Sequence, residues 1–279
     1  MKVLIVGLGL MGGSFAKAIK TKTGDIVAGW DMSDEVIKKA LTCGAIDERA
    51  QKIPPDTDLI LIALYPRAAV DFVRQNVGDI PSGCMLVDIC GVKRSVCSEI
   101  EQIISGKDAV YIGGHPMAGR EFSGFDASDA ELFNGASMIL TPPEGISKSH
   151  CLLAELFFLR LGFGGITYTT PEEHDEMIAL TSQMAHIVSS AYVQNPASLR
   201  HAGFSAGSFR DMTRVAKLHE QMWTELFLCN TDFLSLQLDQ LITKLNEFKK
   251  AIDEKDENTL CEMLRQGRII KEQLNRAEK

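Results

Sequence analysis

The sequence predicts an α/β fold: a Rossmann-type, doubly wound, mostly parallel sheet, followed by an all-helical domain. Three observations predict it. Apolar runs without polar alternation recur between helical stretches over the first 170 residues, as strands covered on both faces do. Gly7-Leu8-Gly9-Leu10-Met11-Gly12 ends the first of those runs and opens a helix, the context a nucleotide-binding glycine turn requires. After Thr170-Pro171 no strand pattern returns and helical spacing takes over. The expected division is residues 1–169, a nucleotide-binding domain, and residues 170–279, a helical one.

Each element follows from local pattern. Val3–Val6 is the first strand and Gly12–Lys20 its helix. Ile26–Trp30 is the second strand, and Ser33–Cys43 a helix opened by a serine cap. Leu59–Leu64 is an almost wholly apolar strand, with a helix from about Arg67. Met85–Ile89 and Lys93–Ile104 repeat the strand–helix step. Ala109–Ile112 and Met138–Leu140 are further strands, Ser147–Leu161 a helix, and Gly165–Tyr168 a last short strand. Beyond Pro171 lie helical stretches at about 172–194, 219–252 and 256–276. In the second, Met222, Leu226, Phe233, Leu234, Leu238, Leu241 and Leu245 make a broad apolar face.

Composition narrows the class. With 279 residues, 45% hydrophobic and 24% charged, the chain reads as globular, and no apolar run is long enough to span a bilayer. The N-terminus runs into glycines without a signal peptide's longer core, so a cytoplasmic location is expected. A net charge of −8 argues against non-specific nucleic-acid binding but not against small anionic ligands. Seven cysteines without C-x-x-C spacing suggest neither zinc nor disulfides. Cys84 and Cys90 are expected to be reduced structural thiols. Cys97 has no neighbouring base to activate it.

The glycine turn implies a dinucleotide. Gly7 permits the tight turn, Gly9 lets a pyrophosphate approach the backbone, and Gly12 lets helix and strand pack closely. Leu8, Leu10 and Met11 supply main-chain N–H groups at the helix start. Asp31 closes the second strand. A carboxylate there accepts hydrogen bonds from a ribose diol and repels a 2′-phosphate, which favours NAD over NADP.

Gly113-Gly114-His115-Pro116-Met117-Ala118-Gly119 follows the strand Ala109–Ile112. It reads as a tight loop, its glycines bending the backbone and its proline restricting the far side. A loop at the carboxyl end of a parallel strand faces the ligand crevice. His115, with an unperturbed pKa near ~6.5, suits a general base there.

With these motifs in place, the chain resembles the prephenate and arogenate dehydrogenases of tyrosine biosynthesis. The resemblance rests on Val3–Gly12, Gly113–Gly119, Glu131-Leu132-Phe133, Ile139-Leu140-Thr141-Pro142, Glu173-His174-Asp175 and Phe209-Arg210-Asp211-Met212-Thr213-Arg214-Val215-Ala216. It implies hydride transfer from the hydroxyl-bearing carbon of a cyclohexadienol to NAD, loss of the ring carboxylate as carbon dioxide, and aromatisation. His115 would take the hydroxyl proton. Arg214, helped by Arg210, would bind substrate carboxylate, the two sharing a face if their segment is helical. Asp211 would orient that segment. Glu121 would line the substrate entrance, and Trp223 would reach the neighbouring subunit's site. Ser182 and His186 would form a polar cleft wall, and Leu64 and Tyr65 would lie beside the cofactor. A homodimer through the helical domain is also implied.

The chain departs from the family pattern at several positions, Tyr65 ending the fourth strand where a small residue is more usual. Gln183 stands where a histidine is common, and Gly91 where a serine is common. His186 beside the side chain suits a ketone or carboxylate better than an ammonium, so prephenate is expected over arogenate. Two other readings compete. A 3-hydroxyacid-type dehydrogenase would need a lysine on the first interdomain helix, and Glu172–Gln194 has none. A non-enzymatic NAD sensor would not need His115, Arg210 and Arg214 together.

Overall fold

The computed structural model describes residues 1–120 and 122–277. In chain order, the first half runs β1 (Lys2–Val6), α1 (Leu10–Lys22), β2 (Ile26–Trp30), α2 (Asp34–Thr42), β3 (Glu48–Arg49), β4 (Leu59–Ile62), α3 (Pro66–Asn76), β5 (Cys84–Asp88) and α4 (Arg94–Ile103). β6 (Ala109–Pro116), β7 (Ser137–Thr141), α5 (Lys148–Arg160) and β8 (Gly165–Tyr168) complete the sheet domain. The eight strands form one sheet in the order β3-β2-β1-β4-β5-β6-β7-β8. Every neighbouring pair is parallel except β6 with β7. Strand order reverses between β1 and β4, which opens a crevice at their carboxyl ends.

Alternate residues of each strand feed opposite layers. Val3 and Ile5 join Phe15, Phe133, Phe158 and Phe163 on one face, while Leu4 and Val6 join Val73, Val96 and Ile100 on the other. Phe15 and Phe133 stack at 4.1 Å. Burial on both faces is why these strands show no polar alternation. Two-residue β3 is exposed and carries no such signal.

The histidine motif is not a loop. β6 continues through Pro116, and His115 pairs with Ile139 of β7. Gly113 and Gly114 are not left-handed and do not bend the chain. They are small because their surroundings are full. A Cβ on Gly113 would lie 2.3 Å from Thr141 Oγ1 and 2.6 Å from Cys97 Sγ, and one on Gly114 2.8 Å from the Asp88 carbonyl oxygen. His115 is therefore held by strand pairing, which is stiffer than the expected loop.

The helical part begins at α6 (Pro171–Ile178), capped by Thr170. A π turn, Ala179–Gln183, joins it to α7 (Met184–Val193). The single helix expected over 172–194 thus carries one π turn, a feature that often marks functional positions. α8 (Gly207–Thr213), α9 (Glu220–Leu228), α10 (Thr231–Asp253) and α11 (Glu257–Ala277) follow. The helix expected over 219–252 is broken at Cys229-Asn230. Met222 and Leu226 therefore sit on α9 and Phe233 to Leu245 on α10, so they do not share one helix face. Residues 1–230 form one compact unit and the chain from Thr231 a second. In that second unit α10 and α11 pack against each other. Among the described residues, no helix is long and apolar enough to cross a membrane.

Candidate active site

At the β1–α1 turn the backbone is shaped for a close ligand. Gly7 has φ +88°, a left-handed value that favours glycine. A Cβ on Gly12 would lie 1.8 Å from the Gly7 carbonyl oxygen, so α1 can begin here only because Gly12 lacks one. A Cβ on Gly9 would meet nothing within 4 Å, which marks the open side of the turn. Gly9 caps α1 without a side-chain hydrogen bond, leaving first-turn N–H groups, including those of Leu10 and Met11, for an anion. Asp31 Oδ2 accepts the Leu8 N–H at 2.7 Å and Oδ1 the Ser33 N–H at 2.8 Å. The carboxylate is pinned at the rim of the turn with lone pairs to spare for a ribose diol. Leu64 packs on Gly7 from the end of β4. Tyr65 is exposed there, its ring 6.1 Å from that of His219. This set fits a dinucleotide.

The other end of the crevice carries a relay. His115 Nδ1 is 2.9 Å from His174 Nε2, and His174 Nδ1 is 2.7 Å from Asp175 Oδ1. A carboxylate accepts only, so His174 carries its proton on Nδ1 and accepts at Nε2. His115 then donates from Nδ1, and its Nε2 lone pair is left free. That lone pair is the basic atom of the site. A Cβ on Gly91 would come 3.8 Å from it, so the missing side chain leaves room there. Burial first, then the neighbouring His174 and Lys93, hold the His115 pKa well below the ordinary imidazole value. Burial also lowers that of His174, against the pull of Asp175.

Asp175 is fully buried and anchors the relay. Its carboxylate accepts from His174 Nδ1, from the Lys93 and Arg94 main-chain N–H groups at 2.7 and 3.0 Å, and from Arg94 Nε at 3.4 Å. Asn230 ties the same corner together. It donates to the Asp175 carbonyl at 2.8 Å and to Gln183 Oε1 at 2.9 Å, and accepts from Arg94 Nη2 at 3.1 Å. Gln183, which stands where a histidine is common in the family, is a buried strut that also donates to the Leu226 carbonyl at 3.1 Å. An amide serves here because it both donates and accepts without charge.

Substrate-side residues gather around α7. His186 donates from Nδ1 to the Ser182 carbonyl oxygen at 2.8 Å, and its ring stacks on Trp223 at 3.9 Å. Within the chain, then, the His186 and Trp223 rings form one stacked pair. Burial lowers the His186 pKa, the Ser182 carbonyl opposes this, and the Arg214 guanidinium lowers it further. The 3₁₀ turn that Arg214 opens packs against α7, the helix that carries His186. Arg210 and Arg214 do not share one α-helix, since α8 ends at Thr213 and Arg214 opens a 3₁₀ turn. Arg210 and Asp211 are exposed. Glu121 lies outside the described residues.

Three buried cysteines are held as thiols. Burial pushes the Cys84 thiol up to about 12, Cys97 to about 11, and Cys90 well above its ordinary value. Among the described residues no group of His, Cys, Asp or Glu could hold a metal. Sequence reasoning missed Lys93, Asp88, Asn230 and the relay role of His174 and Asp175. The signal was a His-Asp pair in the first turn after Pro171, charged yet beside an apolar stretch.

Comparison with known proteins gives the same picture. Residues 15–161 match the family model described as the prephenate dehydrogenase nucleotide-binding domain, and residues 170–266 the prephenate dehydrogenase dimerization domain. A prephenate dehydrogenase of Bacillus subtilis is 30% identical over 269 residues, covering 92% of this chain and 72% of the relative. A cyclohexadienyl dehydrogenase of Zymomonas mobilis is 28% identical over 275 residues, covering 95% and 93%. The crystal structure of a prephenate dehydrogenase from A. aeolicus, in complex with hydroxyphenyl propionate and NAD+, superposes with a TM-score of 0.87 at 29% identity, over 98% of both chains.

Proposed function

The chain belongs to the prephenate dehydrogenase family, and on that premise we propose that it converts prephenate to 4-hydroxyphenylpyruvate and carbon dioxide, with NAD, in tyrosine biosynthesis. One observation carries the reading: the unprotonated His115 Nε2, fixed by strand pairing and the His174–Asp175 relay at the carboxyl end of a parallel sheet.

Residues Gly7, Leu8, Gly9, Leu10, Met11 and Gly12, with Asp31, Leu64 and Tyr65, would hold NAD. When bound, it supplies the acceptor for the hydride of the substrate's carbinol carbon. His115 Nε2 takes the hydroxyl proton as that carbon becomes a ketone-like centre. Its ring then carries a positive charge, which Asp175 stabilises through the neutral His174. Breaking the bond to the ring carboxylate lets the ring aromatise. Arg214, with Arg210, offers the cationic side to substrate carboxylate. Ser182, His186 and Trp223 form the wall against the side chain. Glu121 and Asp211 keep their sequence-based roles at the entrance and on the arginine segment as part of the proposal.

The functional division is residues 1–169 for NAD and 170–279 for substrate and assembly. A cytoplasmic homodimer through the helical domain completes the reading. Its support is the matched dimerization model and the apolar surface of the second unit, where Leu236, Ile242, Leu245 and Ile270 are each at least half exposed. Arogenate, which has an amine in place of the side-chain ketone, is the second reading, motivated by the cyclohexadienyl dehydrogenase among the relatives. The test is NADH absorbance on adding each substrate at equal concentration. The proposal expects higher kcat/KM with prephenate, and no NADH with either substrate would end it.

A further inference from the structure

Beneath His115 lies a buried charge cluster that the relay does not use directly. Lys93 and Asp88 are both completely buried. Lys93 Nζ donates to Asp88 Oδ2 and, at 2.7 Å, to the Gly114 carbonyl oxygen. That carbonyl belongs to the peptide bond leading into His115. Tyr111 donates its hydroxyl to the other Asp88 oxygen at 2.5 Å, and the Cys90 N–H donates to Oδ2 at 3.0 Å. The main-chain N–H of the same Lys93 donates to Asp175 Oδ1. One residue thus grips both ends of the relay: the strand that carries the base and the carboxylate that terminates it.

We propose that Lys93 is a positioning residue for the reaction, its ammonium fixing the Gly114–His115 peptide and opposing a resting positive charge on the His115 ring. The proposal rests on His115 being the base. Burial works against the lysine's own charge, but the Asp88 carboxylate, together with the Cys97 and Cys90 sulfurs, leaves the Lys93 pKa raised. Lys93 is in turn among the causes that lower the pKa of both His115 and His174. The groups facing His115 are His174 and Asp175 from α6, Lys93 from α4, and Asp88 and Tyr111 around that lysine. β7 presents only Ile139 and its apolar or hydroxyl neighbours, and Leu226 of α9 is apolar. Arg94, the other cation nearby, is bonded to Asp175 and is not among the causes that shift His115. A buried ion pair adds little stability over an apolar pair of similar volume, so the bond from Lys93 to the Gly114 carbonyl is the feature to explain.

Two variants separate the field from the grip. Asp88→Asn keeps every lysine atom but removes the partner that keeps the ammonium charged. Lys93→Met with Asp88→Asn removes both the charge and the donor. The measurement is kcat/KM against pH, with NAD affinity as the check that each protein is folded. A base must be unprotonated, so activity rises with pH through its pKa. Losing a nearby like charge moves that acid limb upward, by about one pH unit. Both variants should show the upward limb, and the double variant should also lose about ten- to a hundredfold in kcat, because His115 is no longer fixed. Tyr111→Phe, which leaves the lysine charged, should keep the wild-type limb. An unmoved limb in the double variant, or in Asp88→Asn if the double variant does not fold, overturns the proposal. So does a limb that Tyr111→Phe shifts equally. Near-normal turnover in His115→Asn would instead remove the underlying reading.

Discussion

The two ends of the crevice are built by opposite means. At the β1–α1 turn the work is done by main chain and by missing side chains: Gly7, Gly9 and Gly12 give shape, and Asp31 adds one carboxylate. At the β6–α6 end the work is done by side chains, densely charged and mostly dry: Asp88, Lys93, His115, His174, Asp175 and Arg94. A cofactor end needs a surface that admits a rigid, recurring ligand. A proton-moving end needs one nitrogen held in one protonation state. The first is a matter of space and the second of charge, so damage to one should leave the other intact.

The largest effect should come from His115→Asn. It keeps the size of the ring's donor but removes the basic nitrogen. We expect kcat to fall by about two to four orders of magnitude, the usual contribution of a general base, with NAD affinity unchanged. Weakened NAD binding in a folded variant would show that the two ends are not separate. Arg214→Ala should act next, through substrate affinity. Losing a charge-assisted hydrogen bond of ~1.5–3 kcal/mol predicts KM for prephenate raised roughly ten- to a hundredfold, measured at saturating NAD. An unchanged KM would take Arg214 out of the site.

The same contrast explains what the sequence made legible. Gly7 to Asp31 is a local pattern, with its spacing set by one strand–helix–strand unit, so it can be read without a fold. His115 could be found because it lies in a short glycine-proline motif. Its conformation was misread, because glycines suggested a bend and only the packing of Thr141, Cys97 and Met138 reveals that they make room. The relay could not be read, because His115 and His174 are brought together only by the docking of α6 onto the sheet. Gln183 and Gly91 looked like losses for the same reason. In the fold, Gln183 is a strut for Asn230, and Gly91 leaves the base's nitrogen open.

The pH dependence should likewise divide. His115 and His174 are held neutral in the fold, their pKa values below the ~6.5 of an exposed imidazole. Protonation therefore favours the unfolded chain. The stability tied to these rings is complete above about pH 6.5 and declines as pH falls from there toward the lower folded values. Thermal melts should move down over that range, and His174→Gln should flatten the drop. The acid limb of kcat/KM should lie below the ordinary histidine range. A limb at or above pH 6.5 in the wild type would contradict the burial argument. At the other end, Asp31 should impose NAD over NADP at every pH where its carboxylate is charged, and Asp31→Ser should narrow that preference. Equal efficiency with both cofactors in the wild type would break the reading of that end.

The smallest effect tests the wall between the two ends. Trp223 sits on α9, outside the residues of the glycine turn and the relay. It stacks on His186 at 3.9 Å with 30° between the rings, and the Arg214 guanidinium is among the causes that lower the His186 pKa. Such a pair contributes about 0.5–1.5 kcal/mol beyond the area it buries. Trp223→Ala frees His186 to tilt from its Ser182 carbonyl but leaves His115 and Asp31 untouched. KM for prephenate should then rise by about two- to tenfold, while kcat and NAD affinity stay near the wild-type values. If Trp223 served assembly alone, the variant would sediment as monomers and recover its KM when concentrated. A KM that stays high in a fully dimeric sample assigns the tryptophan to a substrate wall.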